Sequence, residues 1–293
     1  MLNVQNVSKY FSVDAINDVN FQLDSGRILG LIGSNGSGKS TLLRLIANVY
    51  KVDKGIITVN DMDVNENISY KKELFFASDE PYFLPRSNME VMERVYKNFY
   101  NFDGDIFKKL TSSFGLDVKK PLSNFSKGQK RQALIILAMC TRPKYLLLDE
   151  IFDGLDIVMK EILKKIIVEQ MTETEMTTII TTHTIAELDN LCDQISLMHN
   201  GKLLINKDIE ALSEDIVKVQ VLLNDPTMQV FNDLNILKHN TTGSMVTLIT
   251  RDGKAKVQSV MQGINPKYYE ILPLTIQDIF LIELEEVGYG TNL

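Results

Sequence analysis

Three observations in the sequence predict an α/β fold built on a parallel sheet. Apolar runs of strand length alternate with helix-patterned segments through about the first 200 residues. The segment Gly33–Ser40 (GSNGSGKS) fits G-x-x-x-x-G-K-[ST] without a mismatch, between one such run and one such segment. Further on, the apolar run Lys144–Leu148 ends in two carboxylates, Asp149 and Glu150.

The elements follow in order. Val4–Val7 and Val19–Leu23 cluster β-branched and apolar residues and read as strands. Arg27–Ile32 is an apolar strand, and Thr41–Ala47 spaces its leucines as a helix does. Strand, glycine-rich loop and helix start together make the intervening pattern a phosphate site. Gly33, Gly36 and Gly38 let the backbone close around phosphate oxygens, with Ser34, Asn35, Ser37 and Thr41 supplying further contacts. The new helix adds the positive end of its dipole. Lys39 is placed to reach the β- and γ-phosphates and Ser40 to ligate Mg²⁺. The expected ligand is a nucleoside triphosphate.

Gly55–Asp61 reads as a strand running into a turn. From Asn88 to about Phe114 the spacing is helical, with Met89, Met92, Val95, Tyr96 and Phe99 on one packing face. After Pro121 a helix carries Ala133–Met139, followed by a strand at Tyr145–Leu148. A helix at about Lys160–Met171, a strand at Thr178–Thr182, a helix at Ile185–Cys192 and strands at Gln194–Met198 and Lys202–Ile205 complete the pattern. Alternation of this kind implies a parallel, helix-covered sheet. The character shifts near Ala211–Glu214. Strands at Val217–Leu223, Met245–Thr250 and Tyr269–Leu272, helical segments between them and at Thr275–Glu285, and turns at Thr242-Gly243 and Asp252-Gly253 form a small α/β unit without a chemical motif. The expected domains are 1–210, with a helical subdomain at about 83–140, and 211–293.

Composition narrows the class. With 293 residues, 44% hydrophobic and 24% charged, the chain suits one large globular domain plus a smaller one. No apolar run approaches the length of about 18 residues that spans a bilayer, and Met1–Val7 lacks a basic secretory leader pattern. A net charge of −7 opposes nucleic-acid binding. Cys140 and Cys192, each in an apolar segment, read as buried reduced thiols. At the end of the apolar run, Asp149 is the candidate supporter of Mg²⁺. Glu150 is the candidate general base for an attacking water.

The segment Phe125-Ser126-Lys127-Gly128-Gln129 then makes a family resemblance specific. It resembles the L-S-G-G-Q signature of ATP-binding cassette (ABC) ATPases, departing at two of five positions and keeping Ser126, Gly128 and Gln129. Asp153-Gly154-Leu155-Asp156 resembles the family's D-loop, and Thr181-Thr182-His183 its switch histidine. Val7–Phe11 resembles the segment whose aromatic stacks on adenine, with Phe11 favoured and Tyr10 the alternative. The resemblance implies that ATP is the nucleotide and that His183 touches the γ-phosphate. It also implies that Ser126 faces ATP on a second ATPase subunit, the same chain or a paralogue, joined head to tail. The family's Q-loop glutamine falls at Asp79, which could hold Mg²⁺ through an oxygen but cannot donate as an amide does.

An acidic residue and proline at this place, together with the small C-terminal unit, look like the ATPases of bacitracin- and lantibiotic-type peptide exporters. Phenol-soluble modulin exporters are a nearer likeness. Such a protein is expected to power export through a separate integral membrane permease, on the cytoplasmic face of the membrane, with about Phe83–Gly115 meeting that partner. Three other readings remain: an ABC importer ATPase, a soluble ABC-type ATPase uncoupled from transport, and a regulatory subunit with little turnover.

Overall fold

The computed structural model describes every residue except 13, 212–215, 224–227 and 287–293. Two compact units result, residues 1–206 and 207–293. The composition shift expected at Ala211–Glu214 falls largely outside the described residues.

The first unit holds two sheets. β1 (Leu2–Tyr10), β2 (Asp14–Leu23), β4 (Lys54–Val59) and β5 (Met62–Asp63) form an antiparallel sheet in the order β2-β1-β4-β5. The second sheet runs β10-β9-β3-β8-β7-β6. Its strands are β3 (Ile28–Ile32), β6 (Leu74–Ala77), β7 (Tyr145–Asp149), β8 (Thr177–Thr182), β9 (Gln194–His199) and β10 (Lys202–Asp208). β3 pairs in parallel with β8 and β9, and β7 pairs in parallel with β6 and β8. Both central strands β3 and β7 are buried at every residue, which explains their unbroken apolar sequence. Helix α1 (Lys39–Ile46) contributes Leu42, Leu43 and Leu45 to a core shared with Val4 and Val19 of one sheet and Leu31, Leu147 and Ile179 of the other.

Pairing register places the site. Ile32 lies beside Thr182, Asp149 beside Thr181, and Ala77 beside Leu148. The carboxyl ends of β3, β8, β7 and β6 therefore share one edge, where ligands of α/β sheets bind. Gly33, His183, Glu150 and, two residues on, Asp79 follow these strand ends.

Two helix expectations are corrected. The stretch from Asn88 to Phe114 is two helices, α3 (Met89–Tyr96) and α4 (Gly104–Ser113), after the short α2 (Ile68–Glu73). The break is set by Asp103, whose carboxylate accepts from the Asp105 and Ile106 N–H groups and starts a new helix. Ile185–Cys192 is only a 3₁₀ turn, Ile185–Leu188, because Asn190 takes a left-handed φ of 57° that an α-helix excludes. Helix α5 (Lys127–Cys140) begins at Ser126 in a full capping box with Gln129, and α6 (Ile157–Thr174) begins at Asp156, whose side chain accepts from the Met159 N–H.

In the second unit β11 (Val217–Leu222), β12 (Ile236–Thr242), β13 (Met245–Thr250) and β14 (Tyr268–Leu272) form an antiparallel sheet in the order β12-β13-β11-β14. Val257 and Met261 of the helix Gly253–Ile264 pack on Val219, Val221, Val246 and Leu248. Ile282, from the helix Ile276–Glu286, joins Ile216 and Ile249, and a Lys218–Asp278 ion pair at 2.8 Å ties that helix to β11.

Candidate active site

The phosphate loop is built by close backbone approach. Gly38 caps α1 with φ 108° and ψ 0°, in the left-handed region. At Gly33 an added Cβ would lie 2.4 Å from the Met198 carbonyl and 2.5 Å from Ser37 Oγ, so only glycine fits. Asn35, Gly36, Gly38, Lys39, Ser40 and Thr41 line a cleft of about 420 Å³ together with Ala15, Asp79 and Glu150.

Lys39 is 3% exposed, and its ammonium donates to the carbonyls of Gly33 at 2.7 Å and Ser34 at 3.1 Å. It also lies 3.3 Å from Glu150 Oε1. Ser40 Oγ donates to Asp149 Oδ1 at 3.0 Å, and Thr181 Oγ1 donates to the same oxygen at 2.7 Å. The second oxygen, Asp149 Oδ2, is buried without a hydrogen-bond partner, as is Ser37 Oγ. Burial pushes the Asp149 carboxyl above its ordinary range, while the bonds from Thr181 and Ser40 pull it back. Glu150 follows with φ 48°, a strained left-handed conformation for this residue type, and its N–H donates to Thr181 Oγ1 at 2.9 Å. Thr181 thus holds both carboxylate residues at the strand end.

His183 is half-exposed, with Nδ1 3.9 Å from Glu150 Oε2 and 4.0 Å from Asp153 Oδ1. These spacings exceed a hydrogen bond but hold the three groups in one cluster. Asp79 sits between two arginines. Its carboxylate lies 3.6 Å from Arg44 of α1, and its carbonyl accepts from Arg131 of α5 at 3.3 Å. Arg131 also donates to the Asp153 carbonyl.

Phe11, Ser126, Gly128 and Gln129 do not line the phosphate cleft. Phe11 is 54% exposed and meets Tyr50 edge to face at 5.5 Å, with the Lys9 ammonium 5.5 Å from its ring. Tyr10 is less open, at 38%, with its N–H donating to Asp53 at 2.7 Å. The bonds from Lys9 and the Tyr10 N–H hold the Asp53 carboxyl below its usual range. Ser126 and Gln129 bond each other at the start of α5, with Ser126 exposed and Gln129 half-buried. Burial raises the thiols of buried Cys140 and half-buried Cys192 above the ordinary range, and both are free.

The residue pattern did not single out Arg44, Arg131 or Tyr50. Thr181 precedes the switch-histidine position by two residues, but only the β7–β8 register reveals its bonds.

Residues 16–153, the span that supplies the phosphate loop and the carboxylate strand, match the family model for ABC transporters. The chain has the fold of an ABC-type ATPase cassette. Over 283 residues it is 24% identical to the ABC transporter ATP-binding protein YtrB of Bacillus subtilis, covering 96% of this chain and 97% of that one. It is 28% identical to the lantibiotic transport ATP-binding protein SrtF of Streptococcus pyogenes, across 76% of this chain and 98% of that one. Among solved structures, the ATP-binding subunit of an ABC transporter superposes with a TM-score of 0.66 at 25% identity, over 72% of this chain and 91% of the other. The cassette binds and hydrolyses ATP. Among its described residues no helix is long and apolar enough to cross a membrane.

Proposed function

We propose that this cassette powers export of a peptide through a separate membrane-spanning subunit, at the cytoplasmic face of the membrane. The observation that carries the hydrolytic part is the Lys39–Glu150 contact at 3.3 Å, which brings the phosphate loop and the strand-end carboxylate together. ATP phosphates would take the amide donors of Gly33–Thr41 and the Lys39 ammonium. That exchange frees Glu150 to accept a proton from the attacking water. His183, beside Glu150, would then contact the γ-phosphate. Mg²⁺ fits the oxygen donors of Ser40 and Asp149, whose buried Oδ2 is unpaired, with Asp79 across the cleft. When bound it would neutralise phosphate charge.

The Ser126, Gly128 and Gln129 loop lies outside its own cleft, which supports a head-to-tail pair in which each loop completes the other subunit's site. Phe11 is open to receive a base face. For the membrane partner, the support is an apolar groove of about 390 Å³ lined by Ile68, Tyr82, Leu84, Met92, Val95 and Phe99. Tyr82 and Phe99 are 74% and 70% exposed there, an apolar patch of the kind that marks an interaction site. Peptide as cargo draws support from the likeness to the lantibiotic protein.

Affinity-tagged chain extracted in mild detergent should bring down an integral membrane protein, and Phe99→Asp should cut that recovery at least about ten-fold. Recovery of the cassette alone, with unchanged turnover, would contradict coupling to transport.

A further inference from the structure

We infer that Glu187 is a positioning residue of the hydrolytic site, fixing the His183 turn to helix α6. This rests on the reading that His183 acts in hydrolysis.

Glu187 is only 7% exposed, although a carboxylate is seldom buried unless paired. Its Oε2 accepts from Thr182 Oγ1 at 2.5 Å, and its Oε1 lies 2.6 Å from the Lys160 ammonium of α6. Thr182 is the last residue of β8 and directly precedes His183. Its hydroxyl oxygen also accepts from the Thr184 N–H at 3.0 Å. One carboxylate therefore secures the residues on both sides of the histidine.

The 3₁₀ turn that follows has four residues, too few to hold His183 by its own hydrogen bonds. Tethers to α6 take that part. One turn beyond Lys160, Lys164 adds a bond to the Asp189 carbonyl at 3.4 Å. The same helix starts at Asp156, just after the loop whose Asp153 comes within 4.0 Å of His183. Helix α6 thus meets the histidine twice, through Asp153 at its leading loop and through Lys160–Glu187–Thr182 behind it. A shift of α6 along its axis would move the imidazole relative to Glu150, now 3.9 Å away. Conversely, neutralising Glu187 loosens His183 without touching the phosphate loop.

Steady-state ATPase kinetics of the purified full chain test this. Glu187→Gln should lower kcat about ten-fold while KM for ATP stays within about two-fold. Thr182→Val should match that loss and Thr182→Ser, which keeps the hydroxyl, should recover most of it. Lys160→Met gives the same signature from a partly exposed position, should Glu187→Gln fold poorly. In a His183→Ala background Glu187→Gln should cause no further loss, because groups acting as one unit are not additive. An equal fold-loss in both backgrounds, or unchanged kcat in Glu187→Gln, overturns the inference and leaves the ATPase standing. Wild-type turnover in His183→Ala overturns the reading beneath it as well.

Discussion

Asp149 shows how one residue can serve a site at the expense of the fold. It is fully buried, accepts two hydroxyl bonds on Oδ1 and leaves Oδ2 unpaired. Its carboxyl is raised by burial, so the fold favours the protonated form. The stabilising contribution is complete below the unfolded-chain value of about 3.9 and is lost as pH rises through the higher folded-state value. Above that folded-state value the ionised group therefore weakens the ligand-free protein. Asp149→Asn should stabilise that protein by about 1 kcal/mol while removing most hydrolysis, a trade-off common at functional sites. Calorimetry at pH 7 without nucleotide checks it, and a lower melting temperature would contradict the account. Lys39→Ala should weaken ATP binding at least about ten-fold, since it removes the ammonium proposed to reach the phosphates. Equilibrium binding of a fluorescent ATP analogue reads that loss; unchanged affinity would count against the assignment.

At the level of elements, local chemistry was legible and long-range pairing was not. Gly33–Ser40 and the Asp149-Glu150 strand end could be read directly, because glycine spacing and an apolar run are short-range signals. The break between α3 and α4 was missed although Asp103-Gly104 is a fair cap, because Tyr96, Phe99 and Tyr100 continue the apolar spacing across it. Stacking among Phe75, Tyr96 and Tyr100 accounts for those aromatics. β12 stands where a helical segment is expected, because it is a sheet edge whose residues 238–242 are exposed and polar and carry no strand alternation. β6 is four residues long and is defined by its pairing with β7, a partner about 70 residues away. The Arg44 and Arg131 contacts to residue 79 likewise depend on register between distant elements. Where backbone crowding sets the loop, Gly33→Ala should destabilise the first unit by about 1–3 kcal/mol, since its Cβ must displace the β9 carbonyl of Met198. Urea unfolding measures this, and an unchanged midpoint would show that the loop relaxes without cost.

For the whole molecule, each unit has its own buried core, one around α1 between two sheets and one between β11, β13 and the helix Gly253–Ile264. The proposed composite site needs a second cassette, because Ser126 does not line the chain's own phosphate cleft. Nucleotide should thus hold two copies together while hydrolysis releases them. The direct measurement is Glu150→Gln, which keeps the side chain's size and removes the proposed base. Phosphate release should fall by at least about 100-fold, ATP affinity should persist, and light scattering should show a dimer that forms only with ATP. Wild-type phosphate release from Glu150→Gln would contradict the central claim.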